Sequence, residues 1–280
     1  MLPGVSPDIY AATDFREISR LAYEEAGIVL GQAKAMLVYS RLAPRVRETG
    51  STTFSGYIDR LHRDDTEKAR AIAALTTNHT FFYREPHHFE HFASHVRPNL
   101  LTRLRDGSAV RLWSAGCSSG EETWSLVFTL LGPDRSEGTR IAGQNIRILA
   151  SDIAPHALKR AAAAIYPAKE LEAVPAALRQ PWLTPQGTDL ALADVARNLV
   201  RFRALNLQGE WPMRRRFDVI FCRNVMIYFD ADTKERLLAR FCAALQPGGY
   251  LYIGHSERVT GVAASELEPV GPTIYRRRGA

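Results

Sequence analysis

The feature that most constrains this chain is a change of rhythm at Arg111. Beyond it come runs of consecutive apolar residues rich in β-branched and aromatic side chains: VRLWSAG, IRILASDI, LVRFRAL, FDVIFCRN and GYLYIGHSE. Helical segments over 121–131, 155–164 and 231–245 separate several of them. A strand that alternates apolar and polar residues has one wet face, whereas a strand apolar nearly throughout must be covered on both. Strands of the second kind alternating with helices predict an α/β domain built on a parallel sheet. The last apolar run, PTIYRRR, reads as an edge strand.

Ahead of Arg111 the pattern is helical. Phe15, Ile18, Leu21, Ala22 and Ala26 recur at i, i+3, i+4 spacing, with Asp14 placed to cap the helix and Gly27 to end it. A second helical stretch over 32–46 is interrupted or re-angled at Pro44, and a third from Thr53 carries Phe54, Tyr57, Ile58 and Leu61 on one stripe. A fourth covers 67–75. Short helices with short connections predict a small bundle. The expected organisation is an all-α N-terminal helical domain and linker over residues 1–88, followed by the α/β domain over 89–280. Residues 167–205 break the alternation, and four prolines lie between 167 and 200. A small antiparallel β-subdomain insertion is expected there, with a disordered loop as the alternative.

A chain of 280 residues can bury a large core, and 46% hydrophobic with 24% charged residues is ordinary for a folded domain. No run approaches the roughly 20 apolar residues that span a bilayer. The opening MLPGVSPDIYAATDF lacks the basic region and apolar block of a secretory signal, so a cytoplasmic location without membrane insertion is expected. Cys117, Cys222 and Cys242 are far apart and sit in apolar segments, as core thiols in a reducing compartment would. Adjacent side chains such as His87 and His88 diverge, no Cys or His pair has ligand spacing, and no metal is expected. The net charge of +6 favours an acidic partner, which nucleic acid or a glutamate-rich protein surface would supply equally well.

The chemistry concentrates at strand ends. The segment from Trp113 to Glu122, WSAGCSSGEE, leaves a strand and opens a helix, with small residues that let the backbone turn sharply against a ligand. It departs from the GxGxxG fingerprint, and two glutamates stand where a pyrophosphate would need positive potential. Anionic side chains there suit a ligand with ammonium and hydroxyl groups, such as the methionine and ribose parts of S-adenosylmethionine. Asp152 ends the next strand, where an acid accepts hydrogen bonds from ribose hydroxyls; capping the helix from Pro155 is the alternative. Arg223 and Asn224 end the FDVIFCRN strand at the edge where ligands bind in such sheets.

The blocks LTTNHTFFYRE, WSAGCSSGEE, ASDI, FDVIFCRNVMIYF and LQPGGYLYIGHSE, in this order, resemble the CheR-type chemotaxis protein methyltransferases over nearly the whole chain. The resemblance implies a Rossmann-like S-adenosylmethionine-dependent domain with a small antiparallel β-subdomain, preceded by the helical domain. It implies methyl transfer to glutamate side chains of methyl-accepting chemotaxis receptors in chemosensory adaptation, leaving S-adenosylhomocysteine. Positions matching cofactor contacts are Asn78, Thr80, Arg84, Glu122, Asp152, Asn206, Leu207, Arg223 and Asn224. Arg84 and Tyr228 match the residues beside the methyl-transfer centre. Two departures stand out. Tyr83 replaces the usual Phe, and the insertion before LVRFRALNL is shorter than in enteric members, which speaks against tethering to a receptor's C-terminal peptide.

A glutamate side chain is already ionised at pH 7, so the enzyme's work is in-line orientation and desolvation. Arg84 is suited to anchor the substrate carboxylate bidentately; holding the cofactor's carboxylate or pairing with Glu85 are the alternatives. Tyr228 would orient the substrate oxygen or belong to the core, and Asn78 and Thr80 would otherwise cap a helix. Lys34, Arg41 and Arg45 fall on one stripe of an unbroken helix, read as a substrate-docking face rather than a solvated one. Arg276, Arg277 and Arg278 read as a solubilising tail. A methyltransferase acting on RNA or a small molecule is the rival enzyme, but no RNA-binding module is found and nucleic acid is not expected as a partner. A non-catalytic module that binds S-adenosylmethionine is the rival of another class.

Overall fold

The computed structural model describes residue 6 and residues 8–279, which divide into two compact units. Residues 1–5 and 7, on which part of the reading of the N-terminus falls, lie outside the described residues.

The smaller unit takes the chain up to Thr77 together with Asn206–Glu210 and Tyr228–Lys234. Its helices are α1 (Ala12–Ala26), α2 (Ala35–Glu48), α3 (Phe54–Leu61) and α4 (Asp65–Leu75). The predicted stripe of α1 is buried, and Gly27 ends the helix at φ 69°, its N–H donating to the Tyr23 carbonyl. Asp14 does cap α1, but from the third helical position, accepting from the Ala11 N–H at 2.8 Å. Helix α2 runs through Pro44 without the expected break. Pro44 and Ser40 are both exposed, so the carbonyl that Pro44 leaves without a donor faces water. Glu67 is 1% exposed yet fully partnered: it accepts from Arg45 Nε at 2.9 Å and Tyr57 hydroxyl at 2.7 Å, with Arg45 Nη2 on its other oxygen. One buried carboxylate thereby ties α2, α3 and α4 together.

The larger unit opens with α5 (His87–His91), a π-helical turn at Phe92–Val96 and α6 (Arg97–Arg105). There follow β1 (Val110–Ala115), α7 (Glu121–Leu131), α8 (Arg135–Ala142), β2 (Ile146–Asp152) and α9 (Pro155–Ala163). An excursion comprises β3 (Ile165–Pro167), α10 (Ala176–Trp182), β4 (Leu183–Gln186), β5 (Asp189–Leu192) and α11 (Asp194–Arg197). The chain then returns through β6 (Val200–Ala204), β7 (Phe217–Cys222), α12 (Ala231–Ala244), β8 (Leu245–Ile253), α13 (Ala263–Glu266), β9 (Leu267–Gly271) and β10 (Ile274–Arg277). The main sheet has the order β6-β2-β1-β7-β8-β10-β9. Its first five strands are parallel, and β10 is antiparallel to both neighbours.

PTIYRRR is therefore not an edge. β10 is bonded on both sides, and the edge is β9, LEPVG, which lacks an apolar run and carries a proline tolerated at a sheet margin. The excursion forms the expected small antiparallel sheet, in the order β3-β5-β4. It starts at Ile165, and the strand at 200–204 joins the main sheet instead. Cys117, Cys222 and Cys242 are buried free thiols. Among the described residues no helix is long and apolar enough to cross a membrane.

Candidate active site

Strand order reverses at β1, whose neighbours β2 and β7 lead to opposite halves of the sheet. The crevice at the carboxyl ends of β1 and β7 is where such a sheet binds its ligand. Between β1 and α7 the backbone turns through Gly116 (φ 77°), Ser118 (φ 50°) and Gly120 (φ 99°). A Cβ on Gly116 would collide with Val225, and one on Gly120 would stand 2.8 Å from both Ala161 Cβ and the Tyr166 hydroxyl, so only glycine fits either place. The Gly116 and Cys117 amides donate to the Ser151 carbonyl at 2.8 and 2.9 Å, locking the loop to the end of β2.

Asp152, at that end, accepts from the Ser118 amide at 2.7 Å and the Ala154 amide at 2.9 Å. Burial pushes its carboxyl upward and the two N–H donors oppose it. The alternatives of ligand acid and helix cap are thus not exclusive: each oxygen caps local backbone and keeps lone pairs for a further donor. Ser118 Oγ donates to the Asn78 carbonyl at 2.9 Å, bringing that segment to the loop, and Asn78 Nδ2 lies 3.0 Å from His156 Nε2. Thr80 is half-buried two residues on.

The second half of the site is a buried set of charges. Glu122 accepts from Ser114 Oγ at 2.8 Å and Arg223 Nη1 at 3.2 Å. Arg223, 5% exposed, places Nη2 3.3 Å from Glu85 Oε2 and donates from the same nitrogen to the Arg84 carbonyl. Its Nε is buried without a hydrogen-bond partner. Burial alone would raise the Glu85 carboxyl, but Arg223 and the His255 donors hold it down to about 2. Glu122 goes the other way: burial raises it more than Arg223 and Ser114 lower it. His88, fully buried, is pushed down to about 3 by burial and then by Arg223, and so stays neutral. Asn224, at φ 58°, follows with its amide N–H on Glu257 at 3.2 Å; Glu257 also accepts from Met226 and Gly254 amides at 2.8 and 2.6 Å.

Arg84 differs from these. Its backbone is held by Arg223 between two residues of positive φ, Tyr83 (53°) and Glu85 (56°). Its half-buried guanidinium makes a single 3.3 Å bond to the His79 carbonyl and lies 5.7 Å from the Phe81 ring centre. The pairing of Arg84 with Glu85 does not form, because Glu85 goes to Arg223. Tyr83 packs its ring on Phe89 at 5.0 Å and its hydroxyl on Thr129 at 3.2 Å, so the additional oxygen of this Phe-to-Tyr departure has a partner.

Asn206, Leu207 and Tyr228 belong to the smaller unit. Asn206 Nδ2 donates to the Glu25 carbonyl and its Oδ1 accepts from the Gln208 amide at 2.9 Å, while Leu207 is buried. The Tyr228 carbonyl accepts from the Val29 amide at 2.9 Å, and its ring centre is 5.8 Å from Lys34 Nζ. Lys34 sits on a 3₁₀ turn before α2, off the expected unbroken stripe; Arg45 is engaged by Glu67, and Arg41 by the Leu75 carbonyl and Thr77 hydroxyl. Glu85, His255 and Glu257 escaped the sequence reading as site builders. Their signal was present in the same blocks, FFYRE and GHSE, but not which cation or amide each would meet. Among the described residues no group of three or more His, Cys, Asp or Glu is arranged to hold a metal.

The parallel switch-point sheet, the acid-lined glycine turn and the acid Asp152 at the end of β2 define an S-adenosylmethionine-binding methyltransferase. The donor set fits that cofactor: Asp152 keeps acceptor capacity, the unpartnered Arg223 Nε offers a donor, and acids replace the bare amides a phosphate would require. The chain belongs to the CheR methyltransferase family. The family model for the "CheR methyltransferase, SAM binding domain" matches residues 78–274, and that for the "CheR methyltransferase, all-alpha domain" matches residues 13–76. A probable chemotaxis protein methyltransferase of Rhizobium etli is 43% identical, covering 91% of this chain and 96% of that one. Chemotaxis protein methyltransferase 2 of Pseudomonas aeruginosa is 39% identical, covering 95% and 93%. The chemotaxis protein methyltransferase of Escherichia coli is 39% identical, covering 93% and 89%.

Proposed function

We propose that this chain transfers the methyl group of S-adenosylmethionine to glutamate side chains of methyl-accepting chemotaxis receptors, giving methyl esters and S-adenosylhomocysteine, in the cytoplasm. The observation that carries the reading is Arg84. Every other charged side chain described for the crevice is spent on a partner, whereas the Arg84 guanidinium has one long bond and no ion pair among the described residues. A guanidinium held by its backbone and free at its tip suits a carboxylate that arrives from outside.

The cofactor supplies a methyl group activated by a sulfonium. Asp152 would accept the ribose hydroxyls, and Glu122, Arg223 and Asn224, with Asn78 and Thr80, would line the rest of its site. Arg84 would hold the glutamate carboxylate in line. Asn206, Leu207 and Tyr228, on the smaller unit, are assigned cofactor and substrate contacts by the family resemblance alone. A carboxylate ionised at neutral pH needs no proton removed, so these residues contribute orientation and exclusion of water. Lys34 stands in this reading as a docking residue beside Tyr228, with Arg41 and Arg45 as further docking residues on the following helix α2.

Incubation with methyl-labelled cofactor and receptor-rich membranes tests the assignment. Label on the receptor that leaves as methanol in mild alkali is the expected result. Label that resists alkali, or that sits on RNA, would overturn it.

A further inference from the structure

One face of the main sheet is left open at its β2–β6 margin, and it is lined with arginines. In-register neighbours on parallel strands share a face, so Arg111↔Arg147, Trp113↔Leu149↔Arg201 and Ser151↔Arg203 set all these side chains on one side. Toward β7 that side is covered: Trp113 packs edge-on against Trp211 at 4.8 Å and Phe241 of α12 at 5.4 Å. Over β2 and β6 it is not. Arg147, Arg201 and Arg203 are exposed, and Leu149 beneath them is half-buried. Sheets of this parallel type are normally covered by helices on both faces. Arginine stems can cover apolar surface of this kind while their heads reach solvent.

Among the described residues these charges lack counter-ions. The guanidinium groups of Arg111, Arg147, Arg201 and Arg203 bond there to carbonyls and to the Asn145 amide oxygen. Among the described residues no carboxylate oxygen lies within 4.0 Å of them or of exposed Arg215. The nearest acid acting on Arg111 is Asp218, whose oxygens are taken by Arg103 at 2.5 Å and the Arg111 amide at 2.7 Å. The cluster is close enough to repel itself: after burial, Arg215 and Arg147 both depress Arg111. The row also leads to the site, since Arg203 is paired with Ser151, the residue before Asp152.

We infer that this arginine face is a docking surface for an acidic segment of the protein substrate, whose carboxylates replace the missing counter-ions. The inference deepens the receptor reading above and rests on it. Carboxylates are favoured over nucleic acid because the face offers no exposed aromatic ring for base stacking: Trp211 is half-buried under Arg240 and against Trp113.

The test compares the wild-type chain with Arg147→Glu/Arg201→Glu/Arg203→Glu and with the corresponding triple Gln variant. Poly-L-glutamate, single-stranded RNA and phosphatidylglycerol vesicles serve as binding probes, and a soluble chemoreceptor cytoplasmic fragment as methyl acceptor. Charge reversal is expected to weaken poly-L-glutamate binding and raise the KM for the fragment by at least about tenfold. kcat and S-adenosylhomocysteine affinity should stay within about twofold, with the Gln variant intermediate. Unchanged poly-L-glutamate binding, or an unchanged KM, overturns the docking face. So does tighter binding of RNA or vesicles than of poly-L-glutamate to the wild type, lost on reversal. If the wild type forms no alkali-labile ester on the fragment, the substrate reading fails, and poly-L-glutamate binding still decides the face.

Discussion

Glu85 joins three pieces of the crevice: it faces Arg223 at 3.3 Å, accepts from His255 Nδ1 at 3.0 Å, and follows Arg84 in the chain. Its carboxyl, held at about 2, lies below the ordinary range near 4.5. A group depressed in the folded state stabilises it above the unfolded value, and that contribution disappears as pH falls toward the folded one. Replacing Glu85 with Gln should therefore destabilise the protein at pH 7 and flatten the loss of stability between pH 5 and 2, measured by urea unfolding across that range. Identical slopes for the two proteins would refute the assigned role. Arg84 makes a different prediction. Arg84→Met should lower methyl transfer by about a hundredfold or more while S-adenosylhomocysteine affinity changes by less than about threefold, because its guanidinium is committed to no cofactor-shaping partner. A proportional loss of cofactor affinity in calorimetry would move Arg84 to the cofactor's carboxylate instead.

At the scale of elements, the glycine turn between β1 and α7 and the buried acid of the helical unit carry the sharpest consequences. Gly120→Ala would force φ 99° on an L-residue and press a methyl group 2.8 Å from Ala161 Cβ and the Tyr166 hydroxyl. A cost of about 2–4 kcal/mol is expected from strain and overpacking, read as a lower urea midpoint at unchanged slope. Glu67→Ala removes the common acceptor of Arg45 and Tyr57 and leaves the part-buried Arg45 only its ion pair with exposed Glu48. A loss of about 3 kcal/mol is expected, read by thermal melting. These elements also mark what the sequence could disclose. The apolar runs of β1, β2, β7 and β8 and the stripe of α1 were legible because burial on one face or two imposes a period. Strand β9 was not, because LEPVG has no apolar run and owes its place to pairing with β10. Nor could adjacency show that Glu85 would turn from Arg84 to Arg223, since positive φ on either side of Arg84 sends consecutive side chains apart.

The whole molecule keeps its site-bearing segments far apart in sequence: 78–85, 114–122, 152 and 223–224 meet only when the larger unit is folded. A ligand that binds this assembled state and not the unfolded chain must stabilise it by mass action, by about 2.7 kcal/mol at a hundredfold excess over Kd. S-adenosylhomocysteine should raise the melting temperature in a concentration-dependent way, and a flat response would remove the cofactor from this crevice. The order of blocks made the family legible, because a family pattern carries identity across long separations. The open arginine face was not, since Arg111, Arg147 and the Arg201–Arg203 pair lie far apart in the chain and become one surface only through strand register.

The small antiparallel sheet is fastened to this unit by two buried aromatics. Tyr166 of β3 donates its hydroxyl to the Ser119 carbonyl at 2.6 Å, and Trp182 donates to the Gly132 carbonyl at the same distance. Phe82, two residues before Arg84, stands edge-on to Tyr166 at 5.0 Å. The appendage is consequently not a removable cassette. Swapping it between relatives would transplant part of the wall behind the glycine turn, so a graft that omits Tyr166 or Trp182 would trade a new accessory for a crippled enzyme.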